Sequence, residues 1–202
     1  MNSVPETLRR DAILAPIIEK IGALDNELDA DSTRPRDAFL SLARIIVGQQ
    51  LSTKAARTIW NRVDEFFGAD FSPAAVLQTD AATLRTLGLS GQKSGYLHSL
   101  AQHVAEGRLE IARFDELSDA QIKAEIVAVK GLGPWSADMF LMFTLGRPDV
   151  LPVGDLGIQE AFKRVFALEN RPNAAQMEAL SRRWQPHRTL ACRYLWRFLD
   201  NE

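Results

Sequence analysis

Two short stretches of the chain carry residues whose types and spacing could do chemistry. The first, Lys130-Gly131-Leu132-Gly133-Pro134, places two glycines between apolar segments, and Lys130 adds a positive charge. Glycine takes positive φ without penalty, and the backbone N–H groups of such a turn form a concave donor site for an anion such as phosphate. The alternative is an ordinary turn with glycine at a helix C-cap, which the two glycines alone favour.

The second stretch ends in a single carboxylate. Leu151-Pro152-Val153-Gly154 is an apolar approach, bounded by proline and glycine, to Asp155. A carboxylate could stabilise positive charge that develops at a reacting centre. Asp is also a favoured N-cap, so the alternative role of Asp155 is to begin the helix that follows, and the two roles are compatible.

Two helices must position the glycine turn. Ser118 and Gln121 have the spacing of a capping box, which predicts a helix from there to about Val129. Pro134 suits the first turn of a second helix, which should carry the residues from Trp135 to Leu145. The pattern therefore predicts two short helices joined by a glycine hairpin.

A third stretch, Gly48-Gln49-Gln50-Leu51-Ser52, forms a polar corner between two predicted helices. The helix before it begins at Asp37 and ends near Gly48. Ser52 can cap the helix after it, which Gly68 closes. By pattern alone the two glutamines are an exposed polar loop.

Helical patterns account for the rest of the chain, and no stretch of the sequence shows sustained strand alternation, an internal repeat or low complexity. Ser3 and Pro5 predict a first helix from about Pro5 to Ile21. The other predicted helices begin at Ser72-Pro73, at Thr79-Asp80 (ending at Leu87-Gly88), after Lys93, after Asp155 (to about Phe166), at Asn173 (to about Trp184) and shortly before Ala191. The predicted fold class is all-α.

Composition narrows the class of protein. A chain of 202 residues with 46% apolar residues can bury a real core. The single cysteine, Cys192, excludes an intramolecular disulfide and a four-cysteine iron–sulfur site. His98 and His103 have no metal-ligand partners, so we assign no zinc. The N-terminus lacks the apolar region of a signal peptide, and no stretch could cross a bilayer, so we expect a cytoplasmic, intracellular protein with no membrane partner.

The charge distribution allows two interpretations. A net charge of −2 is not that of a general DNA-coating protein. Basic residues nevertheless dominate the C-terminal part, where a local basic face could bind phosphates; a solvated helix surface explains the same pattern equally well. These residues are Lys163, Arg164, Arg171, Arg182, Arg183, Arg188, Arg193 and Arg197.

The order of these features resembles the helix-hairpin-helix DNA glycosylase superfamily, in which a hairpin is followed by a Gly/Pro-rich loop and an aspartate. GLGPWSADMFLMF and LPVGDLGI look like its alkylbase branch, DNA-3-methyladenine glycosylase II, as do GLSGQKSGYLHSLA and the W-x-P-x-R…A…Y-L-W ending. The resemblance extends from about Asp37 to Phe198. It implies a two-lobed helical bundle in its compact form, without the extra N-terminal domain of some relatives.

The resemblance also implies how the lobes divide. The chain would be one glycosylase unit over residues 1–202. One lobe, at about 30–145, would hold the hairpin, and the second would be formed from about 1–29 plus 146–202. The active-site cleft would lie between the two lobes.

The implied reaction is hydrolysis of the N-glycosidic bond of an alkylated base. Breaking that bond creates a sugar cation, so Asp155 would be the catalytic carboxylate. An N-alkylated purine carries positive charge and leaves easily, so a second carboxylate is not required. Relatives that also cleave the strand have a Schiff-base lysine two residues after the second hairpin glycine, where this chain has Trp135. We therefore expect a monofunctional glycosylase that leaves an abasic site.

Three residues are implied for the base pocket. Trp135 could stack on a cationic base, which is favourable by roughly 0.5–2 kcal/mol. Trp196 aligns with an aromatic residue that stacks on the base in relatives. Met139 shares the helix face of Trp135, although burial in the core is its favoured interpretation. Some relatives have tyrosine at Met139, which implies a different lesion range here.

Contacts with DNA are implied at the corner and the hairpin. Gln50 falls at the position that fills the gap left by the flipped nucleotide. Hairpin carbonyl groups often hold Na⁺ or K⁺ in the family, here those of Val127, Val129 and Leu132, and no other cofactor is required. The implied DNA-binding residues are Gln49, Gln50, Ser52, Lys130, Gly131, Leu132 and Gly133.

The sequence thus predicts a monomer that binds double-stranded DNA containing alkylated bases. It would flip mainly 3-methyladenine, with 7-methylguanine and related lesions as further candidates, out of the duplex for base excision repair in a bacterial nucleoid. Two other functions stay open. A non-catalytic DNA binder would need the hairpin but not Asp155 or Trp135, and a helical scaffold would leave the glutamine corner unexplained.

Overall fold

The computed structural model describes residues 4–24 and 37–201, and every regular element in these ranges is a helix. The prediction of an all-α fold is therefore confirmed. No strand is assigned within these ranges. None of their helices combines the length and apolar character that a membrane span needs.

Twelve α-helices lie within the described ranges. They are α1 (Glu6–Arg9), α2 (Leu14–Ile21), α3 (Ala38–Gly48), α4 (Thr53–Phe67), α5 (Pro73–Gln78), α6 (Ala81–Thr86), α7 (Gly91–Ala105), α8 (Asp119–Val127), α9 (Pro134–Phe143), α10 (Leu156–Val165), α11 (Ala174–Ser181) and α12 (Arg188–Asp200). Single 3₁₀ turns occur at Gly68–Asp70, Ile111–Arg113 and Arg182–Trp184.

The chain forms two compact units. We call residues 37–140 the hairpin unit, and the described residues 4–24 and 141–201 the aspartate unit. The division falls within α9. Trp135 and Met139 therefore belong to the hairpin unit, whereas Asp155 and Trp196 belong to the aspartate unit.

An aromatic cluster forms part of the core of the hairpin unit. The ring of Phe71 stacks with Trp60 and with Phe67 at centroid distances of 5.7 and 4.5 Å, and Phe39 meets it edge-on at 6.0 Å. Such pairs contribute about 0.5–1.5 kcal/mol each beyond the burial of their area. Helix α7 packs against α3 and α5 and buries Leu97 completely.

The core of the aspartate unit is organised by α12, which packs against α10 and α2. Trp184 is fully buried, and its ring lies 5.3 Å from that of Phe162. Tyr194 on α12 is buried, and its hydroxyl donates a hydrogen bond of 3.1 Å to the carbonyl oxygen of Gly22 at the end of α2. Helix α12 is thereby tied to the end of α2.

Most helix starts follow the predicted caps. Ser118 and Gln121 form the predicted capping box at α8. Side chains that accept a backbone N–H at the predicted starts of α4, α5, α6 and α11 are those of Ser52, Ser72, Asp80 and Asn173. Local side-chain acceptors satisfy the first free N–H groups of a helix, so these starts can be read from the sequence.

The single helix predicted from Pro5 to Ile21 is wrong, because α1 and α2 are separate. Asp11 lies in the turn between them, and its Oδ1 accepts from the N–H groups of Ile13 and Leu14 at 3.0 and 3.1 Å just where α2 begins. The buried Asp11 carboxylate also pairs with Arg183 at 2.9 Å. This distant partner has no trace in the local pattern.

Three predicted helix ends also differ by a few residues. Helix α7 begins at Gly91, before Lys93, because the hydroxyl of Ser90 accepts from the Lys93 N–H at 3.2 Å. Helix α9 ends at Phe143, not at Leu145. The helix that begins after Asn173 ends at Ser181, and a 3₁₀ turn covers the rest of the stretch to Trp184.

Candidate active site

The hairpin joins the end of α8 at Val127 to Pro134, the first residue of α9. Gly131 has φ +95°, which a residue with a side chain rarely adopts. The N–H of Leu132 donates to the carbonyl oxygen of Val129 at 3.0 Å and closes the turn. Lys130 beside it is exposed to solvent.

The two hairpin glycines differ in what surrounds them. A Cβ atom at Gly131 would lie 2.1–2.4 Å from ring atoms of Tyr96 on α7, so this ring covers the turn where a side chain would otherwise stand. The Gln92 amide on α7 hydrogen-bonds the Tyr96 hydroxyl. Gly133 has no positive φ, and a Cβ there would meet nothing within 4 Å. The fold itself therefore does not require glycine at 133.

An ion pair fastens the two helices of the hairpin. Lys123 on α8 lies 2.6 Å from the Oδ1 atom of Asp138 on α9, and Asp138 is buried. Burial raises the pKa of Asp138, and the hydrogen bond and charge of Lys123 only partly offset this. The carboxylate is thus kept in the interior by one partner from the other helix.

The glutamine corner is attached to the hairpin. The side-chain amide of Gln49 donates to the Gly131 carbonyl oxygen at 2.8 Å and to the Ser136 hydroxyl at 3.2 Å. Gln49 was predicted as a DNA-binding residue, and the structure places its amide nitrogen on the protein's own hairpin. The connection runs between residues 82 positions apart, so no local pattern announces it.

Lys93 on α7 also contacts the end of α3, next to the glutamine corner. Its ammonium group donates to the carbonyl oxygen of Val47 at 2.7 Å, in the last turn of α3, and burial lowers the pKa of Lys93. Gln50, which follows Gln49 and is exposed, has φ +58°, a backbone conformation that residues other than glycine rarely adopt. Such a conformation costs of order 1–3 kcal/mol and persists where surrounding contacts determine it. Ser52, also exposed, caps α4.

The two predicted pocket residues of α9 lie in different environments. Trp135, in the first turn, is half-buried. Met139, one turn further on, is only 8% exposed, and its neighbour Phe140 is fully buried. Met139 thus has the burial of a core residue.

Asp155 is the N-cap of α10. Its Oδ1 atom accepts from the backbone N–H of Ile158 at 2.8 Å and from the indole N–H of Trp196 on α12 at 3.0 Å. Gly157 lies against both groups, and a Cβ there would stand 3.1 Å from Asp155 Oδ1 and 3.4 Å from Trp196 Nε1. The aspartate unit therefore brings together the predicted catalytic carboxylate and one predicted pocket residue.

The loop that leads to Asp155 is held by the start of α12. The Arg188 guanidinium, 12% exposed, contacts both carboxylate oxygens of Asp149 at 2.8 and 2.9 Å. The hydroxyl of Thr189 donates to the Arg147 carbonyl oxygen at 2.6 Å and accepts from the Val150 N–H at 3.1 Å. No local pattern predicts these contacts, although Arg188 is the last residue of the W-x-P-x-R motif.

The C-terminal basic residues are partly neutralised within the protein. At least four of the eight from Lys163 to Arg197 pair with acidic side chains, which reduces the charge that this region can offer to phosphates. They are Arg164 and Arg171 with Glu160, Arg183 with Asp11, and Arg188 with Asp149 and Glu178.

Comparison with known proteins shows which family this chain belongs to. The model of the HhH-GPD superfamily base excision DNA repair proteins matches residues 43–187. A Bacillus subtilis protein, provisionally named a DNA-3-methyladenine glycosylase, is 32% identical over 166 residues, which cover 79% of this chain and 58% of the relative. The chain thus spans little more than half the length of that relative.

Two solved structures share the fold. The 3-methyladenine DNA glycosylase of Schizosaccharomyces pombe, in complex with abasic DNA, matches with a TM-score of 0.81 and 27% identity, over 94% of this chain and 93% of the other. A DNA-3-methyladenine glycosidase from Bacillus halodurans matches with a TM-score of 0.75 and 34% identity, over 95% and 86% of the two chains. The likeness covers both units.

Proposed function

Since the chain belongs to the HhH-GPD superfamily of base excision DNA repair proteins, we propose that it is a DNA glycosylase for alkylated bases. Its substrates are 3-methyladenine and 7-methylguanine in duplex DNA, and its product is an abasic site. The observation that carries the proposal is the Asp155 carboxylate, held at the start of α10 by the N–H groups of Ile158 and Trp196. The names of the relatives mention 3-methyladenine and therefore support the first of these two substrates.

The chemistry needs little beyond one fixed negative charge. As the glycosidic bond breaks, the sugar becomes a cation, and a preorganised carboxylate stabilises that charge. The free base departs with the electron pair of the broken bond, water adds to the sugar carbon, and one proton of that water passes to the solvent. A base alkylated on a ring nitrogen is positively charged before the reaction and becomes neutral as it leaves. Asp155 alone can therefore supply the necessary stabilisation.

Trp135 makes the reaction hydrolytic only. Strand cleavage by a glycosylase requires an amine that forms a Schiff base with the sugar. Indole nitrogen carries no available lone pair for that step. Trp135 stands in the first turn of α9, at the position where the relatives that cleave the strand have a lysine. The protein therefore leaves the DNA strand intact, and another enzyme must process the abasic site.

The hairpin is proposed to hold a DNA phosphate. Gly133 has neither a positive φ nor a neighbour within reach of a Cβ atom, so its lack of a side chain is best explained by close approach of a ligand to the backbone. The exposed Lys130 adds positive charge. The Gly131 turn beneath it is fixed by Tyr96, which gives the phosphate a rigid seat.

The same hairpin offers oxygen ligands for Na⁺ or K⁺. Val127 is the last residue of α8, and helix-terminal carbonyl groups lack intrahelical partners. The carbonyl oxygen of Val129 accepts one hydrogen bond, from Leu132, and a carbonyl has two lone pairs. With Leu132 this donor set fits a hard monovalent cation, which would neutralise charge beside a phosphate. The hydrolysis itself needs no other cofactor.

Base flipping is assigned to Gln50. The backbone at Gln50 is held in the left-handed region, and the residue is exposed at the corner between α3 and α4. An amide of this length can fill the space of an extruded nucleotide and hydrogen-bond the remaining base. We place the protein as a monomer on bacterial chromosomal DNA, in the cytoplasm.

Asp155→Asn tests the proposal and separates the two roles of this residue. Asn is as good an N-cap as Asp, so the variant should unfold at the same denaturant concentration as the wild-type protein. Release of 3-methyladenine from methylated duplex DNA should fall at least a hundredfold, which corresponds to about 2.7 kcal/mol of transition-state stabilisation. Asp155→Ala, the matched control, should lose both the cap and the activity.

Each outcome has a definite meaning. Loss of release with unchanged stability supports the glycosylase. Binding of DNA without any release by the wild-type protein would favour a non-catalytic lesion binder, a function consistent with Asp155 serving only as a cap. Equal release by the wild-type protein and Asp155→Asn would remove Asp155 from the chemistry.

A further inference from the structure

We infer that Trp196 is a positioning residue for Asp155, acting through its indole N–H, in addition to any stacking role of its ring. This inference rests on the proposed function and deepens it. The carrying observation is the hydrogen bond of 3.0 Å from Trp196 Nε1 to Asp155 Oδ1. An aromatic ring that only stacks on a base has no need of that nitrogen.

Two donors converge on one oxygen of the carboxylate. The Ile158 N–H reaches Asp155 Oδ1 along the axis of α10, and the Trp196 N–H reaches the same atom from α12. The backbone donor alone leaves the carboxylate plane able to turn about its Cβ–Cγ bond. A second donor from another helix fixes that plane, and with Oδ1 fixed the position of Oδ2 is determined as well.

The indole is itself held in place. Gly157 permits its approach, since even one carbon at this position would stand 3.4 Å from Trp196 Nε1 and 3.1 Å from Asp155 Oδ1. The Trp196 ring lies 5.9 Å from the ring of Phe143. Trp196 therefore packs against the residues that begin α10 and against Phe143.

The helix that carries Trp196 is anchored to the same loop. At its start, Arg188 and Thr189 bind residues 147–150, and further along it Trp196 binds Asp155. A preorganised carboxylate is worth more than a mobile one, because no reorganisation is needed as charge develops on the sugar. Trp196 would then act on turnover more than on substrate affinity.

Trp196→Phe separates the two roles of the side chain. Phenylalanine retains an aromatic face for stacking and lacks the N–H donor. If Trp196 positions Asp155, kcat for release of 3-methyladenine should fall roughly ten- to a hundredfold with KM nearly unchanged, as expected when a hydrogen bond to a charged group is lost. If the ring only stacks on the base, kcat and KM of this variant should stay close to those of the wild-type protein.

A double-mutant cycle distinguishes positioning from general damage to the fold. The loss caused by Trp196→Phe should largely disappear in the Asp155→Asn background, because there is no longer a carboxylate charge to position. A purely structural defect would instead lower the residual rate by the same factor in both backgrounds. Unfolding curves of all four proteins show whether each variant is folded under the conditions of the assay.

Binding supplies a readout that does not depend on turnover. Duplex DNA with a cationic pyrrolidine in place of one deoxyribose mimics the sugar cation, and the neutral tetrahydrofuran analogue is its matched control. The ratio of the two Kd values reports the interaction with Asp155. Trp196→Phe should reduce the wild-type preference for pyrrolidine several-fold while the Kd for tetrahydrofuran DNA stays constant.

The failures of the two proposals look different. A wild-type protein that releases base, with Trp196→Phe unchanged in kcat and in the Kd ratio, would overturn the positioning role alone. A wild-type protein with neither base release nor a preference for pyrrolidine DNA would overturn both the glycosylase and the inference built on it.

Discussion

The turn of the hairpin between α8 and α9 is predicted by its own short sequence, although Tyr96 and Gln49 pack on it from other helices, whereas the loop that leads to Asp155 is held by contacts from α12. In the hairpin, the capping box of α8, the positive φ of Gly131 and Pro134 at the first position of α9 are local features. The loop is held by Arg188, Thr189 and Trp196, which lie 39 to 42 positions from the groups they contact. The proposed phosphate site depends on the backbone conformation of the hairpin. The reactivity of Asp155 depends instead on side chains that orient its carboxylate.

The buried carboxylate of Asp138 and the half-buried carboxylate of Asp149 show the same contrast. Asp138 in the hairpin unit has one cationic partner, Lys123, and burial raises its pKa. Burial also acts to raise the pKa of Asp149 in the aspartate unit, but hydrogen bonds and charge from Arg188 outweigh it and lower the pKa. The contacts with Arg188 therefore more than offset the cost of desolvating the Asp149 carboxylate, whereas those with Lys123 do not offset it for Asp138.

The largest expected effect is that of Gly131→Ala. The substitution forces a side chain into φ +95° and drives a carbon to within 2.1–2.4 Å of Tyr96. We expect a loss of about 2–5 kcal/mol in the free energy of unfolding, measured by denaturant titration. A variant as stable as the wild-type protein would show that the hairpin does not depend on this glycine and would contradict the contrast drawn above.

Gly133→Ala is the matched control for that experiment. Its added carbon meets nothing within 4 Å, so stability should change by less than about 1 kcal/mol. Binding to duplex DNA should nevertheless weaken, because the methyl group occupies the space proposed for a phosphate. Undiminished DNA binding by this variant would contradict the proposed seat.

Arg188→Gln should have the next largest effect. It leaves Asp149 without its bidentate partner in a site where the arginine is only 12% exposed, and we expect a loss of about 2–3 kcal/mol in unfolding free energy. Base release should also slow, because the loop before Asp155 loses its anchor. Arg171→Gln removes a pair with Glu160 in which the arginine is 49% exposed, and should cost less than about 1 kcal/mol. Equal effects of the two substitutions would show that burial of the Arg188 pair is unimportant.

The smallest expected effect is a difference in pH dependence between Asp138→Asn and Asp149→Asn. The folded protein binds its Asp138 proton more tightly than the unfolded chain, so the contribution of Asp138 to stability should fall as pH rises above 3.8. The pKa of Asp149 is lowered on folding, so its contribution is present above 3.8 and lost as pH falls below it.

Urea titrations from about pH 3 to about pH 6 measure both contributions as the difference in unfolding free energy between the wild-type protein and each variant. The two differences should slope in opposite directions. Slopes of the same sign would refute the contrast between the two carboxylates.

Sequence reasoning succeeded where a structure depends on neighbours in the chain. Ser118 with Gln121, and Asn173 at the start of α11, are visible because a cap and its N–H lie three residues apart. It failed at Asp11, whose carboxylate binds the Leu14 N–H and the distant Arg183 in the turn that divides one predicted helix into two. Hydrogen bonds such as Gln49 to Gly131 depend on the packing of distant elements, which no periodicity encodes.

The candidate site divides in the same manner. Asp155 and the hairpin residues could be proposed from motifs, because their types and order are local information. The donor on Asp155 could not, since Trp196 lies 41 positions away and a tryptophan on an amphipathic helix suggests stacking or burial before hydrogen bonding. The orientation of a reacting group is set by tertiary contacts, and these become visible only in three dimensions.

Helix α12 also sets the distance between two of its contacts with the loop that leads to Asp155. Arg188 and Trp196 are eight positions apart on one continuous helix, a rise of about 12 Å, and each grips one end of the segment between Asp149 and Asp155. Inserting or deleting one residue between them would turn Trp196 by about 100° around the helix axis and away from Asp155. Changes of length in this part of α12 should therefore be far less tolerated than exchanges of its surface side chains.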